Sequence, residues 1–176
     1  RLYYAPEISP YSDERNGMTN GTERGIRMAD SFVPLLCQFD KNYSDLARRN
    51  GESYFGMWVL EEIGERPEGV TQKQLCEITH MPKQTVNSLV VSYVRRGLVE
   101  TKPNSHDGRS KLHVLTEAGM AKYQAICRDE QWLYSFAAES VSEEEMGAAL
   151  KTLARLVSRF EEGIGLLNEE GSSCSK

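Results

Sequence analysis

Apolar residues recur at helical spacing through most of this chain, and the breaks in that period mark out its elements. From Thr22 to about Arg49, Ile26, Ala29, Phe32, Val33, Leu36, Phe39, Tyr43 and Leu46 predict one helix, with a kink or boundary just before Pro34. Asn50-Gly51 ends it. Tyr54, Phe55, Trp58, Val59, Leu60 and Ile63 predict a second helix over Glu52–Ile63, followed by a loop from Gly64 to Gly69 and one residue of strand at Val70. Thr71 with Gln74 is a capping-box pair opening a short helix whose apolar face holds Leu75, Cys76 and Ile78. His80-Met81-Pro82 breaks that helix, and Pro82 suits the first position of the next. There Val86, Leu89, Val90, Tyr93 and Val94 keep helical spacing, with Gly97 as the C-terminal stop.

The period then shortens to two. Leu98–Thr101 and Lys111–Leu115 read as strands, and the turn residues from Pro103 to Gly108 make them a hairpin with a polar, partly basic tip. Thr116 caps a long helix to about Ala138. Ser142 with Glu145 is a second capping box, opening a last helix with Leu150, Leu153, Leu156, Val157, Phe160, Ile164 and Leu167 on one side. The tail at 168–176 is polar and reads as frayed. Residues 1–21 carry Pro6, Pro10, Gly17 and Gly21 among polar residues and form an arm without a core, which Tyr3, Tyr4 and Tyr11 equip to dock on the body or on a second subunit. No repeat or low-complexity segment is visible.

Helix, turn, helix, hairpin is a winged helix-turn-helix, so the fold class is mainly α with a small β-hairpin wing. In its details this stretch resembles the MarR (multiple antibiotic resistance) family of bacterial regulators. The matching marks are Thr71–Leu75 (TQKQL), Gly97–Glu100 (GLVE), the wing sequence Asp107-Gly108-Arg109-Ser110, and Leu115–Gly119 (LTEAG). Together they span about fifty residues; beyond them the likeness is one of helix layout. His80 stands where the family often has a glycine.

The apolar faces of the terminal helices exceed what the small DNA-binding lobe can cover. An intermolecular bundle is the economical solution, with an enlarged monomer core as the alternative. The resemblance implies the former, because MarR proteins dimerise through their N- and C-terminal helices. The expected organisation is one domain overall. It comprises an arm (1–21), an N-terminal dimerisation helix (22–51), the winged helix-turn-helix lobe (52–116), C-terminal dimerisation helices (117–167) and the tail (168–176). A two-fold dimer presents two recognition helices about one DNA turn, ~34 Å, apart.

Composition and charge refine this picture. The chain has 176 residues, 39% of them hydrophobic, enough for one domain-sized core. It has no apolar run near the roughly 18 residues that cross a membrane, and no apolar segment in residues 1–22 that would make a retained secretion signal. Its first residue is Arg, as in a trimmed or processed chain. A cytoplasmic location is expected. Cys37, Cys76, Cys127 and Cys174 are scattered, three of them in apolar helical patterns, and read as buried reduced thiols.

The net charge of −5 suits a DNA binder only once it is divided. Between Thr71 and Lys111, seven basic residues (Lys73, Lys83, Arg95, Arg96, Lys102, Arg109, Lys111) face three acidic ones (Glu77, Glu100, Asp107), leaving this stretch at +4 and the remainder at −9. Phosphate contacts act within the ~8–10 Å Debye length, so a basic patch on an acidic body still binds DNA.

Within the second helix of the motif, Gln84, Thr85, Asn87 and Ser88 fall on the outer side. Gln and Asn pair bidentately with adenine, while Ser and Thr accept several partners. Lys83, Arg95 and Arg96 read as phosphate contacts or surface charges, and Lys102, Ser110 and Lys111 join the expected DNA-binding set. The resemblance implies that Arg109, at the wing tip, reaches into the minor groove while Asp107 orients it by ion pairing. It also implies a small-molecule pocket between the dimer helices and the lobe, for which Phe39, Tyr43, Tyr54 and Trp58 are candidates, with core packing as their other reading.

No nucleophile elbow, P-loop, dinucleotide fingerprint or paired catalytic carboxylates occur, so no enzyme and no cofactor are expected. The expected function is a sequence-specific transcriptional regulator, a ligand-responsive repressor acting as a homodimer on palindromic double-stranded DNA, with no membrane partner. Three alternatives stay open: a metal sensor using Cys76 and His80, a thiol redox sensor using Cys37, and a winged helix that binds protein instead of DNA.

Overall fold

The computed structural model describes residues 20–105 and 107–173. The tyrosines of the arm, His106 in the wing and Cys174 lie outside the described residues. The elements run α1 (Asn20–Arg49), α2 (Tyr54–Gly64), β1 (Val70–Thr71), α3 (Gln72–Thr79), α4 (Lys83–Arg95), β2 (Val99–Pro103), β3 (Lys111–Leu115), α5 (Glu117–Ala138) and α6 (Glu143–Ser173). They form two compact units, Arg1–Cys127 and Arg128–Lys176.

The first unit is the winged helix-turn-helix. Local hydrogen bonds start its helices where the sequence signals them. Thr71 and Gln74 form the complete capping box of α3. Thr116 Oγ1 accepts from the Gly119 N–H at 3.0 Å to open α5. Ser53 Oγ accepts from the Gly56 N–H at 3.1 Å, so α2 starts after it, at Tyr54. Pro82 is the N-cap of α4 and not its first helical residue. His80 ends α3 in the left-handed region, φ 54° and ψ 19°. That is why glycine, free of the Cβ penalty, serves well at such a turn.

The sheet is three-stranded and antiparallel in the order β1-β3-β2. Val70 sits opposite His113, and Val99 opposite Leu115, so the wing hairpin is anchored to the segment that leads into α3. The core gathers Leu46 and Ala47 from α1, Met57, Val59, Leu60 and Ile63 from α2, Leu75 from α3, and Val86, Val90 and Tyr93 from α4. Val70, Met81, Val99, Val114 and Ile126 complete it. Burying each large apolar side chain stabilises the lobe by roughly 1.5–3 kcal/mol.

Several expectations need correcting. Of the kink or boundary expected before Pro34, the boundary is not formed, because α1 runs through Pro34; one missing N–H is a local loss within a 30-residue helix. Val94 is exposed, as is Val91, because the core-facing stripe of α4 is Val86, Val90 and Tyr93, with Leu89 at its margin. Cys37 is exposed, while Cys76 and Cys127 are half-buried. The last helix continues past Asn168 to Ser173.

The second unit holds the remainder of α5 and all of α6. Glu145 and Ser142 form the second capping box, with the Ser142 N–H donating to Glu145 Oε2 at 2.8 Å and the Glu145 N–H to Ser142 Oγ at 3.2 Å. On α5, Trp132 and Phe136 stack with centroids 5.3 Å apart and lie exposed. On α6, Met146, Leu150, Leu153, Val157, Phe160, Ile164 and Leu167 are all exposed in a stripe that repeats every seven residues. No helix among the described residues is long and apolar enough to cross a membrane.

Candidate nucleic-acid interface

Two segments, remote in sequence, build the site. Helix α4 buries Val86, Val90 and Tyr93 and so turns Lys83, Gln84, Asn87 and Ser88 outward. No side chain caps its N-terminus, which leaves the positive end of the helix dipole available to an anion. Gln72 of α3 fixes this end, donating from Nε2 to the Lys83 carbonyl at 3.1 Å. The wing, β2 and β3, supplies the opposite wall.

Between the two walls runs an open groove of about 780 Å³. Its rim carries Lys73, Lys83, Arg109 and Lys111, with Asn87 and Ser110 among them. Its floor is apolar, from Val90, Val91 and Val94, beside Cys76 and His113. Burial and the nearby Lys111 lower the His113 pKa, so this ring is neutral near pH 7; its Nδ1 lies 3.3 Å from Thr101 Oγ1. The positive charge of the groove is therefore carried by the four rim cations and not by histidine.

The wing tip is a tight turn. The Ser110 N–H donates to the Asp107 carbonyl at 3.0 Å, and the Arg109 N–H donates to Asp107 Oδ1, also at 3.0 Å. Asp107 thus holds Arg109 by its backbone. The ion pair expected between the two side chains is absent, because this short side chain folds back onto the loop and leaves the guanidinium exposed.

The other predicted residues separate. Thr85 is half-buried. Ser88 Oγ donates to the Gln84 carbonyl at 2.9 Å. Arg95 is exposed at the far end of α4. Lys102 pairs with Glu100 across 2.9 Å, which partly offsets its charge. Arg96 is the clear departure from expectation: it forms a two-pronged ion pair with Glu52, at 2.9 and 2.6 Å, and lies over the Tyr93 ring. It is engaged within the protein, not presented to a phosphate.

Of the candidate pocket residues, Phe39 and Tyr43 lie 5.1 Å apart between ring centroids, and Tyr43 meets Tyr54 edge-on at 6.3 Å. Trp58 donates from Nε1 to Glu62 Oε1 at 3.1 Å. The groove residues Gln72 and Lys73 were not singled out as site residues, and Cys76 only as a candidate metal ligand with His80. Lys73 was legible as part of the basic excess, but its place on the rim depends on how α3 meets the wing.

This architecture defines a winged helix-turn-helix. Residues 57–110 match the model of the MarR family. Among solved structures, the chain is similar to a MarR family transcription regulator at 27% identity, with a TM-score of 0.71 over 82% of this chain and 95% of that one. It shares its fold with S. aureus MepR solved in a DNA complex, at 18% identity and TM-score 0.65, covering 73% and 98% of the two chains. It also shares it with a putative MarR family regulator from Listeria monocytogenes complexed with a 26mer DNA, at 19% identity and TM-score 0.61, covering 74% and 87%. No curated protein matches the sequence.

Proposed function

We propose that the protein is a sequence-specific DNA-binding transcriptional regulator, a repressor that binds palindromic DNA as a homodimer and is released by a small-molecule effector. The observation that carries this reading is the cation-rimmed groove beside the outward polar face of α4. The fold shared with MepR and the Listeria protein, both solved with DNA, supports it. In this reading α4 enters the major groove, Arg109 the minor groove, and Lys73, Lys83 and Lys111 meet phosphates. The acidic remainder of the chain limits non-specific attachment, and the protein works where the chromosome lies, in the cytoplasm. Rounds of selection from random-sequence duplexes, read by gel shift, test it directly. Recovery of a palindromic consensus is expected, and a pool with no enrichment would overturn the reading.

Base reading and phosphate contact are separable. Asn87→Ala is expected to relax sequence preference at one position by roughly 1–3 kcal/mol and to leave the salt dependence nearly unchanged. Lys83→Ala should weaken specific and non-specific DNA alike, and flatten the slope of log K against log[salt] by about one unit. The reverse pattern would mean that α4 presents a different face.

Homodimerisation is supported by the exposed apolar stripes of α1 (Val33, Leu36, Phe39) and α6 (Leu150, Leu153, Val157, Phe160, Ile164). Removing residues 168–176 should leave the dimer intact. Truncation from Leu150 removes side chains worth roughly 1.5–3 kcal/mol each when buried, and should yield monomers in sedimentation. A truncated chain that still sediments as a dimer would sink this interface. The ring cluster of Phe39, Tyr43 and Tyr54, with Trp58 on the same helix as Tyr54, is the proposed effector site.

A further inference from the structure

Glu52 is a buried charge with several partners in the lobe. Its side chain is 3% exposed, and it accepts both prongs of Arg96, at 2.9 and 2.6 Å, and the Tyr93 hydroxyl at 3.1 Å. Lys122 of α5 lies 3.8 Å from the same carboxylate and also donates to the Asn50 carbonyl at the end of α1. Four segments therefore meet at one residue: the close of α1, the entry to α2, the C-terminal end of α4 and the first turns of α5.

The sequence places Glu52 there by a local device. Gly51 takes the left-handed conformation, φ 68°, its N–H bonds to the Arg48 carbonyl, and the Glu52 N–H bonds back to the Ala47 carbonyl at 2.9 Å. This paired ending of α1 leaves Glu52 with little freedom to swing. Arg96 is equally constrained, with its guanidinium 5.3 Å from the centroid of the Tyr93 ring and its cation at the negative end of α4. Burial, with the adjacent Glu52 charge, raises the Tyr93 pKa, so its hydroxyl stays a donor throughout the physiological range.

We propose that Glu52 is a positioning residue that locks the recognition helix to α1 and α5, and so sets the separation at which a dimer reads its two half-sites; this rests on the DNA-binding reading above. The physical reason is leverage. The base-facing residues sit in the first two turns of α4, and the clasp grips its last turn. Releasing Tyr93 and Arg96 lets the helix tilt about its buried Val86 and Val90, moving Gln84 and Asn87, and Lys83 with them, while leaving Lys73, Arg109 and Lys111 in place. A loosened α4 still meets DNA phosphates but no longer discriminates spacing.

The test uses the full-length chain and the duplex selected by the wild type, together with versions carrying one or two base pairs inserted at its centre. Glu52→Gln keeps the shape and an acceptor for Tyr93 but loses the charge that holds Arg96. It is expected to lower affinity for the selected duplex roughly tenfold. Its preference over the inserted duplexes should fall towards none, while binding to unrelated duplex DNA is held. The direction is informative, since removing a negative charge would by simple electrostatics tighten binding. Arg96→Lys, which keeps the charge but not the fork, should show the same loss to a smaller degree, and it serves if Glu52→Gln does not fold. Tighter binding to every duplex, or an equal loss on selected, inserted and unrelated DNA, would overturn the positioning role alone. A wild type that selects no duplex would overturn the DNA-binding reading and this inference with it.

Discussion

Gly119→Ala is expected to destabilise the lobe by about 3 kcal/mol, at the upper end of the cost of overpacking. A methyl group at Gly119 would lie 1.9 Å from the Leu98 carbonyl oxygen and 2.9 Å from its carbonyl carbon, both backbone atoms that cannot rotate away. Nor can the helix slide aside. The Thr116 N–H donates to that same Leu98 oxygen at 3.0 Å, and Thr116 Oγ1 donates to the Gly97 carbonyl at 2.7 Å, which stitches the start of α5 to the start of β2. At roughly 2–4 °C per kcal/mol for a chain of this size, the melting temperature should fall by about 6–12 °C. Gly108→Ala is the matched comparison. Gly108 has no neighbour within 4 Å of an added Cβ and is not in the left-handed region, so its change should stay within about 0.5 kcal/mol. Equal melting of the two variants would show that α5 can retreat from β2.

The contrast between these glycines shows what the sequence carried and what it did not. Elements started by a bond between residues three apart were legible: Thr71 with Gln74, Thr116 with Gly119, Ser142 with Glu145. The wing strands were legible from alternation, and Val70 from its place before the cap, since β1 pairs with β3. The outward positions of α4 at Gln84, Asn87 and Ser88 followed from the periodicity of its apolar residues. Two kinds of feature were not legible. One depends on a balance of energies, as at Pro34, where a long helix absorbs one lost hydrogen bond. The other joins residues far apart in the chain. Arg96 counts as one more basic residue near the motif until Glu52, 44 positions earlier, is brought against it. Gly119 is the last letter of a motif until Leu98 is packed beside it. Gly108 makes the reverse point: it is one of the turn residues of the tip, yet the turn there is held by Asp107 and needs no left-handed residue.

At that tip, on the proposed DNA-binding reading, Arg109→Ala is expected to cost roughly 1–3 kcal/mol of DNA binding per half-site, because the exposed guanidinium on the groove rim would lose its entry to a narrow, strongly negative minor groove. The partner experiment at Asp107 separates two mechanisms of orientation. The carboxylate accepts the Arg109 backbone N–H at 3.0 Å, and the Asp107 carbonyl receives the Ser110 N–H at 3.0 Å and the Ser110 hydroxyl at 3.2 Å. That arrangement asks for an acceptor oxygen on a short side chain and not for a charge. Asparagine supplies the same acceptor and forms the same turn. Asp107→Asn should therefore bind DNA as tightly as the wild type or tighter, since it keeps the loop and removes a negative charge from the face that meets phosphate. Asp107→Ala loses the acceptor, frees the loop and should weaken binding, despite removing the same charge. An orienting ion pair to the guanidinium predicts instead that Asn and Ala weaken binding equally. Titrating the three proteins against one selected duplex at several salt concentrations decides between them: if Asp107→Asn falls with Asp107→Ala, the backbone hydrogen bond is not what holds Arg109 in place.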